Sequence, residues 1–135
     1  MLKLIVGLKG SGKTKAIVDL ANAKVDEISG SVVFVEKGTK LIHEVKHQAR
    51  LLDTEEYLIA SAAGLYGFCA GIYGSNFDVS EIFIDSALKI CGNNTEEFFK
   101  FLDRIIGFTE NHPVNFTITS SIAPEEIPEK YRQYI

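Results

Sequence analysis

The chain has 135 residues, 46% of them apolar, and a formal net charge of -4. That length allows one domain, residues 1–135, with a modest core. Its arginines are Arg50, Arg104 and Arg132, and its lysines form no basic run, which argues against a dedicated nucleic-acid surface. No apolar segment is long enough to span a bilayer. The first residues lack a signal pattern, because Leu2–Val6 is short and carries Lys3. Cys69 and Cys91 sit in apolar surroundings without metal-ligand spacing, as small core residues in a reducing compartment do. The expected location is cytoplasmic.

In chain order, Leu2–Val6 reads as a buried strand. Gly7-Leu8-Lys9-Gly10-Ser11-Gly12-Lys13-Thr14 then follows the G-x-x-x-x-G-K-T pattern of the phosphate-binding P-loop. A helix over Lys13–Val25 follows, with Ile17, Leu20, Ala21 and Lys24 along one side, so the motif has the strand-loop-helix context it requires. Gly7, Gly10 and Gly12 let backbone N–H groups point inward, and the helix N-terminus adds free donors and a positive dipole end. Lys13 supplies a point charge for the β- and γ-phosphates of a nucleoside triphosphate. The Thr14 hydroxyl is placed to ligate Mg²⁺. Ser11 belongs to the same loop, and Lys9 and Lys15 add positive charge nearby; a solvated loop charge is the plainer reading of Lys9.

Ser29-Gly30-Ser31 is a turn, and Val32–Val35 a second buried strand ending at Glu36-Lys37-Gly38. Lys40–Ala49 reads as a short polar helix, with His43 and His47 on one face, and Arg50–Asp53 as a brief strand. Ser61 caps a helix in which Leu65, Phe68, Cys69 and Ile72 share a face. Gly64, Gly67, Gly71 and Gly74 weaken that helix and imply close packing or mobility. Tyr66 and Tyr73 on it suit either a partner surface or the core.

Ile82-Phe83-Ile84 is the next strand, closed by Asp85. An aspartate after an apolar strand matches the Walker B pattern, which holds Mg²⁺ together with the Thr14 hydroxyl. A turn or capping aspartate is the alternative. Asn94 caps a strong helix, with Glu97 at the capping-box position and Phe98, Phe101, Leu102, Ile105 and Ile106 as its buried stripe. Val114–Thr119 is the last strand, before Ser120-Ser121 and a tail with Pro124, Pro128, Tyr131 and Tyr134. Alternating strands and helices imply an α/β fold of three layers around a mostly parallel, five-stranded sheet, with ligand beyond the carboxyl ends of the strands.

Ile82-Phe83-Ile84-Asp85-Ser86 resembles the Walker B segment of the RecA/KaiC-type, strand-adding P-loop ATPases. Ser86 stands where many strand-adding ATPases carry a catalytic glutamate. In the RecA/KaiC-like group the water-activating glutamate instead ends the strand after the P-loop helix, and the resemblance therefore assigns that role to Glu36. A solvated charge beside Lys37 is the alternative for Glu36. Phe116-Thr117-Ile118-Thr119-Ser120-Ser121 resembles the strand flanking the P-loop strand, which implies γ-phosphate sensing by Ser120 and Ser121 and a RecA-like strand order, with this strand between the first strand and Ile82–Ile84. The chain also resembles small stand-alone bacterial P-loop proteins of unassigned role.

The leading expectation is Mg²⁺-dependent ATP binding with slow hydrolysis, Lys13 and Glu36 acting in catalysis. A small-molecule or nucleoside kinase, with an acceptor pocket in Tyr57–Asn76, is one alternative. A non-catalytic switch working through Glu36–Asp53 on a protein partner is another. A GTPase is disfavoured because the chain has no N/T-K-x-D motif. A homo-oligomer would make Arg50, Arg104 or Arg132 a finger candidate for a neighbouring site.

Overall fold

The computed structural model describes residues 1–135. Its elements are β1 (Leu2–Val6), α1 (Lys13–Glu27), β2 (Ser31–Glu36), β3 (Arg50–Asp53), α2 (Ala62–Ser75), β4 (Val79–Ile84), the short α3 (Ala87–Ile90), α4 (Thr95–Asn111) and β5 (Asn115–Ser120), followed by 3₁₀ turns at Pro124–Glu126 and Glu129–Tyr134. The five strands form one sheet in the order β1-β5-β4-β2-β3. Every pairing is parallel. β5 therefore lies between β1 and β4, with Val6 opposite Ser120 and Ile84 opposite Ile118.

Side-chain alternation along the strands makes two apolar faces. Val33, Val35, Ile82, Ile84, Phe116 and Ile118 pack with α2, α3 and α4. Val32, Phe34 and Phe83 face the other way, onto Ile17, Val18 and Ala21 of α1. Helices thus cover both faces, giving three layers. No helix is long and apolar enough to cross a membrane.

The apolar stripe expected on α4 is in place: Phe98, Phe101, Leu102 and Ile105 are buried, and Ile106 is half-buried against the same core. Asn94 accepts the N–H of Glu97 at 3.1 Å, as a cap should. The return half of the capping box is diverted, because Glu97 Oε1 accepts the N–H of Ala62 at 3.3 Å and so caps α2. Ser61 caps the same helix through the N–H of Gly64. Close packing does not explain the other α2 glycines, since a Cβ at Gly67, Gly71 or Gly74 would meet nothing within 4 Å. Tyr73 is buried in the core, while Tyr66 is half-buried against Phe108. The tail closes over α4: the Tyr131 hydroxyl donates to Asp103 at 2.6 Å, and its ring stacks on Phe99. Phe101 is fully buried, so Phe101→Ala should cost about 3–5 kcal/mol in urea denaturation; a loss below 1 kcal/mol would contradict this packing.

Residues 40–49 do not form the expected helix but run as consecutive turns. Leu41, Val45 and Ala49 are buried at helical spacing. The local backbone bonds, however, stop at isolated turns, with the Glu44 and Val45 N–H groups both on the Leu41 carbonyl and the Ala49 N–H on that of Lys46, and side chains take other backbone groups between them. Asn22 donates to the carbonyl of Glu44 at 2.9 Å and accepts the N–H of Lys46 at 2.9 Å, while Glu36 accepts the N–H of Leu41. These bonds pin the segment over α1 and across the end of β2. His43 and His47 are both exposed on these turns.

Candidate functional site

The site lies at the carboxyl ends of β1, β2, β4 and β5. Between β1 and α1 the chain must turn tightly and leave the helix N-terminus open. Gly12 enters α1 at φ 84, a left-handed conformation that L side chains rarely adopt. A Cβ at Gly7, itself at φ 156, would lie 2.7 Å from Ser11 Oγ and force that side chain to move. The first-turn N–H groups of α1, Lys13 and Thr14 among them, have no intrahelical partner and can receive an anion. Lys13 folds back over the loop and donates to the Leu8 carbonyl at 3.0 Å and to Ser11 Oγ at 3.3 Å.

The loop meets residues distant in sequence. Thr14 Oγ1 donates to Asp85, 3.1 Å from Oδ2, across 71 positions of chain. Asp85 is only 7% exposed. It is steered by Thr119, whose hydroxyl donates to Asp85 Oδ1 at 2.7 Å and accepts the N–H of Ser86 at 2.7 Å. Ser86 itself holds a left-handed backbone at φ 60, φ values that cost a non-glycine residue and turn the chain sharply away from the sheet. The sequence alone does not point to Thr119. The available signal was a hydroxyl inside a buried strand, which must find a partner.

Glu36, 4% exposed, ends β2 beside this centre. Its Oε1 accepts the Leu41 N–H at 3.1 Å. Burial raises its pKa above the ordinary glutamate value; the Leu41 N–H opposes that rise, and the negative charges of Asp85, Asp53 and Glu44 add to it. The carboxyl is thus shifted toward the range in which a base can exchange protons.

These groups open into one cavity of about 720 Å³, a volume within the usual range for small-molecule sites. Gly10, Gly12, Lys13, Thr14, Glu36, Asp85 and Ser121 all line it. Lys9 does so too. Lys15 reaches its edge but pairs outward with Asp19 at 2.8 Å. Ser120 and Ser121 separate: Ser121 is exposed on the cavity wall, whereas Ser120 is fully buried and its hydroxyl has no hydrogen-bond partner. Lys37, Lys40 and Lys89 also line the cavity, and their convergence follows only from the strand order. Five lysines without a carboxylate partner thus face two carboxylates, in a chain of net charge -4. This focuses a positive field on one mouth of an acidic protein.

Nowhere do three His, Cys, Asp or Glu side chains gather as a metal site. Thr14 and Asp85 supply only hard oxygen donors, a set that suits Mg²⁺ when phosphate oxygens and water complete its shell. Cys69 and Cys91 stay outside this chemistry: both are free and buried, and burial pushes their thiols up to about 12 and about 11.

No family model matches the chain, and no curated protein matches it at a significant level.

Proposed function

We propose that this chain is a RecA-like P-loop domain that binds Mg²⁺·ATP and hydrolyses it slowly. The observation that carries this reading is the Thr14–Asp85 contact beside the glycine loop, which joins the two oxygen donors the motif assigns to one metal ion. The position of β5 between β1 and β4 supports the strand-adding branch over the kinase-GTPase branch. The absence of a glutamate after Asp85 is met by Glu36 on the neighbouring strand, buried and lining the same cavity.

In this reading the loop N–H groups and Lys13 hold the triphosphate. Thr14 and Asp85 would hold Mg²⁺, which would neutralise charge on the phosphate oxygens. Thr119 fixes the Asp85 carboxylate so that it need not reorganise on loading. As the water oxygen bonds to the γ-phosphorus and the bond to the β–γ bridging oxygen breaks, with ADP as the leaving group, Glu36 accepts the water's proton, whose stay there is eased by the raised pKa of the carboxyl.

Asp85→Asn tests the assignment. Calorimetric titration with ATP should show binding that Mg²⁺ strengthens in the parent. In the variant that Mg²⁺-dependent gain should fall about tenfold or more, a charge-assisted contact being worth roughly 1.5–3 kcal/mol, while binding in EDTA changes little. Equal loss with and without Mg²⁺ would make Asp85 a structural residue, and absence of ATP binding by the parent would overturn the reading altogether.

A further inference from the structure

The cavity is built for more phosphate than a triphosphate arm carries. Lys15, Lys24, Lys46, Lys100 and Lys130 each pair with a carboxylate. The lysines without such a partner are Lys3, Lys9, Lys13, Lys37, Lys40 and Lys89, and all of these except Lys3 line the one cavity. Unpaired cations on an acidic chain would scatter if they served only solubility. Here they stand on three separate connections, the loop and helix start after β1, the loop after β2 and the short helix α3 after β4.

The strand order sets their span. β5 and β4 separate β1 from β2, so the glycine loop and the Lys37–Lys40 loop stand about three strand spacings apart, roughly 14 Å. Lys89, after β4, falls between them. The cations therefore form a track that starts at the glycine loop and runs past the place where Thr14 and Asp85 meet. The walls fit a phosphate chain better than a base: of the 16 lining residues only Leu41 and Leu88 are hydrophobic. Nucleobases are held by apolar and aromatic surface with a few placed polar groups, whereas a phosphate chain carries charge at every unit and rewards a row of cations.

We propose that this cavity recognises a linear polyphosphate chain of more than three phosphates, with Lys37, Lys40 and Lys89 holding the phosphates beyond the third and the nucleoside adding little to affinity. The proposal rests on the reading of the glycine loop as the seat of the first phosphates. It places the ligand's distal end at the ends of β2 and β4. Because these three lysines are exposed, their contribution is a screened one, a few-fold each and about tenfold together, and it fades as salt rises.

The test is calorimetric titration in Mg²⁺ with three probes: ATP, inorganic tripolyphosphate and adenosine 5′-tetraphosphate. The parent should bind tripolyphosphate within about tenfold of ATP, and the tetraphosphate about tenfold more tightly than ATP. In the triple variant Lys37→Gln, Lys40→Gln, Lys89→Gln the tetraphosphate advantage should vanish, with ATP affinity changed less than threefold. A tetraphosphate that binds no better than ATP overturns the proposal, as does a triple variant that weakens both probes equally. Lys13→Ala separates the two readings. If it leaves ATP binding intact while the triple variant still removes the tetraphosphate advantage, the glycine-loop reading falls and the cation track stands. If Lys13→Ala weakens ATP binding about 100-fold and no tetraphosphate advantage exists, the track falls alone.

Discussion

Replacing Lys13 with alanine is expected to weaken Mg²⁺·ATP binding about 100-fold, the equivalent of roughly 3 kcal/mol for charge-assisted hydrogen bonds to phosphate oxygens. The Lys13 ammonium now rests on the Leu8 carbonyl and Ser11 Oγ, both at the exposed surface of the loop, and has no carboxylate partner. Moving it to a phosphate therefore breaks two exposed hydrogen bonds and no ion pair. The same exposure makes the residue dispensable for folding: water can replace the lysine at Leu8, and surface changes of this kind stay within about 0.5 kcal/mol. Calorimetry for binding and a thermal melt for the fold read the two effects separately. Parental affinity in the variant would remove the glycine loop from the site.

Most of the scaffold is written in local pattern, and the exceptions have a common cause. α4 is legible because its apolar stripe, its Asn94 cap and its length all agree. The buried strands are legible as short apolar runs, and the glycine loop as a spacing of small residues between a strand and a helix. Residues 40–49 are not legible, because Leu41, Val45 and Ala49 carry helical spacing while Asn22, more than twenty positions away, takes the Glu44 carbonyl and the Lys46 N–H into its own side-chain bonds. Glu97 was expected to cap its own helix and caps α2 instead, for the same reason. In each case a side chain from another element competes with the local ladder, and the Asn22 and Glu97 partners lie too far apart in the chain for a local pattern to pair them.

The site divides the same way. Gly7–Thr14 and Asp85 are visible from spacing and from the end of a strand. The Thr119 bridge to Asp85 and Ser86 depends on β5 lying next to β4, and the gathering of Lys37, Lys40 and Lys89 depends on the order of all the strands. Alternation of strands and helices predicts that carboxyl ends share one edge of the sheet; it does not say which ends are neighbours. That ordering decides which charges face each other, and so what the cavity can hold.

Glu36→Gln is expected to slow phosphate release from pre-bound ATP by about 10²–10⁴-fold, the usual loss when a general base is removed, with ATP affinity nearly unchanged. Glutamine keeps the size of the side chain and an oxygen for the Leu41 N–H, so the 40–49 segment should hold its place. The raised pKa of Glu36 adds a second, independent signature. A carboxyl whose folded pKa lies above its unfolded value is favoured by folding in its protonated form, so its stabilising effect is present below the unfolded pKa and lost as pH rises through the folded one. The parent should therefore lose stability relative to Glu36→Gln across the window just above the ordinary glutamate range, and the variant should be the more stable protein at neutral pH. The parent's turnover should rise over that same window as Glu36 becomes able to accept a proton, and the variant should lack this limb. Single-turnover phosphate release and thermal melts across pH measure the two. An unchanged release rate removes Glu36 from catalysis even if the stability curves separate as expected. A parent that binds ATP yet releases no phosphate at any pH would favour the switch reading, in which the negative charge of a bound triphosphate displaces Glu36 from the Leu41 N–H and frees the turns behind it; amide exchange at Leu41 with and without ATP would then show the loss of that bond.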